Sequence, residues 1–477
     1  MNKNSSNTNQ KSKTQYLFGN IALFSISNFV SKILVFLLVP LYTNVLTTYE
    51  YGIADIMQVT LLLLVPAVTV NIGEAALRFG IEKTDKRGSI LHIGLGYIVR
   101  ADIIIAILSV AVSFFVTSEI RKYLLFFAFL FIANSLFEFL VLYFQGCELV
   151  PVVVIGSVSS TTVMIVSNIL FLLVIKIGLN GYILSQIIAY SCASVIMLVI
   201  GRRASDYNIH DKDDELRKEM VSYGVPMIAY STGSWINNAA DRYIVAGICG
   251  SAANGIYGIA YKIPAILMVF QRIFAQAWQM SATKSYTDDK SEEFFTTMYR
   301  VYNTFMVLGC SALILFVRVI AWLGFRKEFY VAWKYVPPLL ISVIFGALTG
   351  FLGSICLAHK DSKSMGIATG IGAVVNVILN FATVYKYGAM GAACATAVSY
   401  FVMCAIAYVF VRKYVRIGNN ILRDMIGYIV LVVEAIIMIK EFEFCYIWCV
   451  VAVLLLMILY IKDIKVIFDK LMVLIKR

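Results

Sequence analysis

The chain has 477 residues, 60% of them apolar and only 14% charged, with a mean hydropathy of +0.83. A soluble domain carries roughly 25% charged residues, so a water-soluble core is excluded. The formal charge of +12 does not call for nucleic acid, because cytoplasmic loops of membrane proteins collect Lys and Arg.

A polar tail over 1–15 precedes an apolar run over 16–46. That run lacks a short hydrophobic region followed by a small-residue cleavage site, and reads as a retained first helix. Apolar stretches of roughly 20 or more residues predict helices over 53–79, 90–117, 121–147, 152–176 and 180–202. A charged cytoplasmic linker over 204–215 leads to a second series over 216–247, 255–282, 296–323, 333–358, 362–386 and 388–413. Two further helices follow over 423–440 and 444–461, so the expected fold class is all-α, a polytopic membrane protein of about 14 transmembrane helices. In the tail over 462–477, Ile464, Ile467, Phe468, Leu471 and Leu474 share one helical face, and Lys462, Lys465, Asp469 and Lys470 take the other. It either lies on the inner leaflet or extends the last helix into the cytoplasm.

With the N-terminus inside, the inner segments hold 25 Lys and Arg, the outer ones 8 and the helices 7. This asymmetry predicts that both termini are cytoplasmic. The nine cysteines stand mostly in apolar stretches without CxxC or Cys/His spacing, so neither disulfides nor a metal site is indicated, and no cofactor is expected.

The chain also repeats itself. Tyr51-Gly52-Ile53-Ala54 returns as Tyr257-Gly258-Ile259-Ala260, an offset of 206. Lys176-x-Gly178-x-x-Gly181 returns as Lys386-x-Gly388-x-x-Gly391, followed by Tyr190 with Tyr400, at an offset of 210. Similar offsets at equivalent places in the helix order predict two six-helix lobes, 16–203 and 216–413, with 414–461 appended. Six is even, so the repeat is parallel about an axis along the membrane normal.

Three groups of residues resemble a known family. The first runs from Ser27-Asn28-Phe29 through Pro40-Leu41-Tyr42-Thr43-Asn44 to Tyr51-Gly52, then Ala75-Ala76-Leu77-Arg78-Phe79. The second is Tyr223-Gly224-Val225-Pro226, then Asp241-Arg242 and Gly255-Ile256-Tyr257-Gly258. The third is Asn376-Val377-Ile378-Leu379-Asn380, then Tyr387-Gly388-Ala389-Met390-Gly391 and on to Thr396. Together they resemble the polysaccharide flippases (Wzx type) of the multidrug/oligosaccharidyl-lipid/polysaccharide exporter superfamily. The resemblance implies two lobes around a central cavity open to alternate membrane faces. It also implies a substrate, an undecaprenyl-pyrophosphate-linked oligosaccharide flipped to the outer leaflet for O-antigen, capsule or exopolysaccharide assembly. A bacterial inner-membrane location and contact with polysaccharide polymerase machinery go with that reading.

Such a substrate needs cations for phosphate and hydroxyl or amide groups for sugar along a wet route through the bilayer. Lys32 stands near mid-depth of the first helix on a polar stripe with Asn28. Asn238 lies on a stripe of the seventh helix with Ser231, Ser234 and Asp241, and Arg242 follows. Adjacent helical residues do not face each other, so Asp241 and Arg242 are expected to have separate partners. Lys262, Arg272 and Gln276 belong to the eighth helix; Lys262 and Arg272 would be roughly 15 Å apart along a straight helix. Arg78 is kept by the resemblance, although Glu74, four residues earlier, can neutralise it. Asp102, Glu138 and Asp241 are acids at membrane depth that could take a coupling proton or cation, or pair with the cations. Arg318 is expected to snorkel to the outer surface. The GxxxG pairs Gly346/Gly350 and Gly366/Gly370 are read as close helix packing.

Two other functions use the same chemistry, an ion-coupled multidrug exporter and a lipid II-type flippase. An enzyme such as a glycan polymerase or glycosyltransferase needs catalytic groups on a substantial extramembrane surface. Outer loops here are short and only His92, His210 and His359 supply imidazoles, so a transporter and not an enzyme is expected.

Overall fold

The computed structural model describes residues 37–204, 213–285, 291–359, 361–418 and 420–466. Regular structure among them is helical throughout. Contacts divide the chain into two compact units, 1–46 with 54–235, and 47–53 with 236–477.

In the first unit, α1 spans Val39–Val45 with Pro40 in its first turn, where the missing N–H costs nothing. Helix α2, Thr48–Val68, begins in the second unit and runs on in the first from Ala54; it starts on a reciprocal cap, the Thr47 N–H donating to Glu50 Oε2 at 2.9 Å and the Glu50 N–H to Thr47 Oγ1 at 3.2 Å. The single helix expected over 53–79 is broken. Pro66 lies inside α2, Val70 and Asn71 take left-handed φ values of +58° and +52°, and α3, Ile72–Glu82, starts afresh. Asn tolerates that conformation, whereas β-branched Val70 is strained by it. A 3₁₀ turn at Thr84–Lys86 leads into α4, Arg87–Ser113. Helix α5 is Ser118–Gly146, α6 is Val150–Asn168 with a π-helical continuation at Ile169–Val174, and α7 is Gly178–Ala204. Ile72, Ala76, Leu140, Phe144, Val153 and Met197 form part of the buried core. Small residues on α3 let it approach α5 closely, and the aromatic side chains of α5 fill the remaining space.

Helix α8, Asp214–Cys249, begins in the first unit and ends in the second. In the first unit Trp235 Nε1 donates to the Val59 carbonyl at 2.7 Å and Asn71 Nδ2 to Ser231 Oγ at 3.1 Å. Its start is held by Lys86–Asp213 at 2.6 Å and Lys83–Glu219 at 2.5 Å.

The second unit contains α9, Ser251–Ala260, and α10, Pro264–Ser285, bent by 49° across residues 261–263. The eighth helix is therefore not straight, and the 15 Å helical separation of Lys262 and Arg272 does not apply. Pro264 has no N–H to continue the ladder and crowds the preceding turn. The stretch expected over 296–323 divides at Phe316 into α11, Ser291–Leu315, and α12, Val317–Gly324. After a 3₁₀ segment, Lys327–Tyr335, comes α13, Val336–Ala358, the most buried of the spans. It packs under an aromatic stack in which Trp278 lies 4.2 Å from Phe351 and Phe274 3.9 Å from Tyr302, ring centre to ring centre.

Helix α14, Ser362–Val411, holds the eleventh and twelfth predicted helices, divided at Gly388 with φ +59° and ψ −143°. The repeat predicted this turn: its counterpart Gly178 has φ +55°. Both need a conformation that a Cβ disfavours. Helices α15, Ile421–Lys440, and α16, Cys445–Leu459, complete the unit. A buried ion network ties them to α11: Arg300 and Arg423 each reach Asp463 at 2.5 Å, and Arg423 also reaches Asp424 at 3.0 Å. Asp463 belongs to the stretch read as an amphipathic tail, of which 467–477 lies outside the described residues.

Main chains come closest where 48–52 crosses 251–255, inside the second unit. A Cβ on Gly52 would overlap the Ser251 carbonyl oxygen, and one on Gly255 the Thr48 carbonyl oxygen. Asn254 Nδ2 donates to the Gly52 carbonyl at 3.2 Å beside the crossing. Of the GxxxG pairs, Gly346 fits the close-packing expectation, since its Cβ would meet the Tyr400 ring at 3.1 Å. Gly350, Gly366 and Gly370 do not, because each faces open space.

Among the described residues, eight helices are long and apolar enough to cross a membrane, or nine with the bent pair α9–α10. The first predicted helix lies mostly outside those residues, and α14 counts once for two predicted helices. The protein is an all-helical, multi-pass membrane protein.

Candidate ion and substrate site

In the second unit a buried polar cluster forms around Asp241, which is 2% exposed. Its Oδ2 accepts hydrogen bonds from Tyr257 Oη and Tyr261 Oη, both at 2.6 Å, and from Thr396 Oγ1 at 3.3 Å. Tyr257 and Tyr261 are one turn apart on α9 and the residue that follows it, so both hydroxyls reach the same oxygen; their own oxygens are 3.2 Å apart. Each donor to an ionised group contributes about 1.5–3 kcal/mol. Oδ1 of Asp241 is buried without a hydrogen-bond partner among the described residues.

Both arms of α14 extend the cluster. Asn376 Nδ2 donates to Ser399 Oγ at 3.1 Å and to Thr396 Oγ1 at 3.4 Å. Asn380 Nδ2 donates to Asn376 Oδ1 at 3.0 Å, and Asn380 Oδ1 is a second buried acceptor without a partner among the described residues. The Gly388 turn folds one arm back along the other, which brings Asn376 and Asn380 beside Thr396 and Ser399. A buried carboxylate with an unspent oxygen costs free energy that a proton, or a hard cation bound by oxygen ligands, would recover.

The predicted polar residues fall into groups. Asn238, one turn before Asp241 on α8, accepts from Tyr400 Oη at 2.6 Å. Arg242 places its guanidinium carbon 4.4 Å from the centre of the Tyr261 ring. Asp241 and Arg242 therefore do not have wholly separate partners: Tyr261 offers its hydroxyl to one and its ring face to the other. Lys262 sits half-buried in the break between α9 and α10, and Arg272 is exposed on α10. No carboxylate lies within ion-pair distance of Arg272 among the described residues. Gln276 lies on α10, but its side chain, like Asn28 and Lys32 entirely, lies outside the described residues.

The remaining candidates are in the first unit. Arg78 pairs with Glu82 at 3.0 Å instead of Glu74, and its guanidinium stands 4.6 Å from the Tyr223 ring centre. The break at Val70-Asn71 explains the change, since it puts Glu74 in the first turn of α3, where the free N–H groups favour a carboxylate. Asp102 on α4 accepts from Ser135 Oγ of α5 at 2.9 Å. Glu138, one turn beyond Ser135, is exposed, with its charge close to Tyr190. These two acids belong to the seam of the first unit, away in sequence and unit from Asp241.

The neutral members of the Asp241 cluster were not legible as a site. Asn376, Asn380 and Thr396 stood in the sequence only as parts of a family pattern, and Tyr257 only as part of that pattern and of the repeat. Their shared spacing of one helical turn was the available signal.

Comparison with known proteins agrees with this architecture. A lipid II flippase, MurJ, in an inward closed conformation superposes with a TM-score of 0.69 at 16% identity, covering 94% of this chain and all of that one. An inward-facing multidrug resistance MATE family transporter of the MOP superfamily gives a TM-score of 0.66 at 12% identity, covering 80% of this chain and 94% of that one. A MOP superfamily transporter from Pyrococcus furiosus gives 0.57 at 13% identity, covering 83% and 95%. No curated protein matches the chain. Residues 17–282 match the family model described as Polysaccharide biosynthesis protein, and over that match, more than half its length, the chain belongs to that family.

Proposed function

We propose that this protein flips a polyprenyl-pyrophosphate-linked oligosaccharide from the cytoplasmic to the outer leaflet of a bacterial inner membrane by alternating access. Family membership and a fold shared with a lipid II flippase support a transporter of lipid-linked material. The observation that carries the reading is Arg272, an exposed guanidinium within a membrane helix that no described carboxylate neutralises. An unsatisfied charge at the bilayer centre costs roughly 2.5 kcal/mol or more, and a diphosphate takes that charge in bidentate hydrogen bonds. Asn238 and Tyr400 supply amide and hydroxyl groups suited to sugar, and Lys32, Asn28, Arg78, Lys262 and Gln276 complete the proposed route.

Asp241 is the proposed coupling site. In its ionised form the carboxylate orders Tyr261, whose ring faces the Arg242 guanidinium. A proton or small cation on Asp241 neutralises that charge, and a ligand that binds one conformation better shifts the population toward it. Asp102 and Glu138 are secondary candidates for the same role. Both termini are proposed to be cytoplasmic, with two lobes at 16–203 and 216–413.

The test is reconstitution of the full chain into vesicles holding a fluorescent lipid-linked oligosaccharide, with outer-leaflet exposure followed by a membrane-impermeant quencher. Exposure should rise with the protein and respond to an imposed proton or sodium gradient. Efflux of small amphipathic cations without glycolipid movement would replace this reading with the multidrug exporter; preference for lipid II would replace only the substrate.

A further inference from the structure

Away from the Asp241 cluster, the second unit carries a cation whose neighbours are almost all aromatic. Arg318 is the second residue of α12, just past the break at Phe316, and is half-buried. Its guanidinium carbon lies 5.2 Å from the Trp333 ring centre and 5.9 Å from that of Tyr446. Trp333 comes from the 3₁₀ segment and Tyr446 from the first turn of α16, so three elements converge on one side chain. No carboxylate stands within ion-pair distance of it among the described residues. The other cation of the cluster, Lys334, is already paired with Glu441 at 3.3 Å.

The rim is apolar and open. Phe316, Trp322, Phe442, Phe444 and Trp448 are each more than half exposed. All of them lie at helix ends or in the connections between helices, which is where Trp and other aromatic rings gather at a membrane–water interface. Tyr330 takes one guanidinium hydrogen bond; the two aromatic faces hold the group by cation–π attraction and leave its other N–H donors available to an acceptor. A water-borne carboxylate would have to shed its hydration against exposed tryptophans; a phospholipid brings its own acyl chains to cover them.

We propose that Arg318, framed by Trp333 and Tyr446, binds the headgroup phosphate of a bilayer phospholipid at the membrane face formed by the α12–α13 and α15–α16 connections. Donation from the guanidinium to phosphate oxygens is a charge-assisted, two-point contact. The lipid would sit on the seam where the appended helices α15 and α16 meet the rest of the second unit. This inference stands apart from the transported substrate and from Arg272.

Native mass spectrometry of the full chain in detergent tests it, with phosphatidylglycerol, diacylglycerol of the same chain length, and inorganic phosphate as probes. Wild-type protein should retain phosphatidylglycerol at one tight site, and Arg318→Gln should weaken that binding about tenfold, the loss expected for a charged hydrogen bond. Arg318→Lys, which keeps the charge but not the fork, should fall between them. Diacylglycerol should show no dependence on residue 318, and inorganic phosphate should not displace the lipid. Unchanged phosphatidylglycerol binding in Arg318→Gln overturns the proposal, as does equal dependence for diacylglycerol, which would mean apolar contact alone. Displacement by inorganic phosphate makes the site one for the free ion. If Arg318→Gln does not fold, Arg318→Lys decides: binding equal to wild type for phosphatidylglycerol overturns the assignment.

Discussion

The hydroxyl of Tyr261 donates a 2.6 Å hydrogen bond to Asp241 while the ring of the same residue lies 4.4 Å from the Arg242 guanidinium carbon. One tyrosine thus touches both members of an adjacent acid–base pair that point to different sides of their helix. Replacing Asp241 with Asn removes the charge that both depend on. Asp241→Asn should lower glycolipid flipping at least about tenfold with membrane abundance kept, and Tyr257→Phe, which deletes one of three donors, should cost less. Quencher accessibility in vesicles measures both.

Arg272→Ala should reduce surface polysaccharide while the protein remains in the membrane at wild-type level, and Arg272→Lys should be milder because the charge survives without the bidentate fork. Immunoblotting of membranes beside glycan staining separates the two readouts. Loss of abundance along with glycan would make Arg272 a folding residue.

Asp463 is 2% exposed and neutralises both Arg300 and Arg423. Asp463→Ala leaves Arg423 with Asp424 alone and takes the carboxylate from the part-exposed Arg300, a loss of about 1.5–3 kcal/mol for the charged hydrogen bonds. A thermal melt in detergent should fall markedly for Asp463→Ala. An unchanged melt would mean that α15 and α16 are held by apolar packing alone.

Gly388 combines φ +59° with ψ −143°, a region almost closed to residues with a Cβ, so Gly388→Ala should cost about 1–3 kcal/mol. The same melt reads it.

Asp361 caps α14: its carboxylate accepts from the Ser364 hydroxyl at 2.5 Å and the Ser364 N–H at 3.0 Å, and from Tyr414 Oη at 2.9 Å. These donors hold its pKa down at about 2, below the ordinary 3.8. A depressed folded-state value means that the cap stabilises fully above the ordinary pKa and loses its contribution as pH falls toward 2. Asp361→Asn should flatten the melting temperature profile between those limits and leave the slope elsewhere unchanged.

Most of the helices and their order were legible because membrane spans are long and uniformly apolar, and the Gly388 turn was legible because the repeat marks it twice. The break at Val70-Asn71 was not, since Val70 has no preference for a left-handed backbone and only tertiary contacts hold it there. Pro264 did signal the bend in the eighth helix, but hydropathy runs straight through it. Asp241, Asn238 and Arg242 were found as polar residues at helical spacing. Their partners Thr396 and Tyr400 come from a helix 155 and 162 residues further on, and neutral side chains give no charge signal. Asp463 was missed because an acid among lysines reads as surface; its burial depends on Arg300, more than 160 residues away.

The crossing of Gly52 with Gly255 has a genetic consequence. Because the clash at each position is with main-chain atoms, no rearrangement of neighbouring side chains can rescue a larger residue there. A saturation library should return both positions as invariant glycine, while Gly233 and Gly247, which face open space, should accept alanine freely.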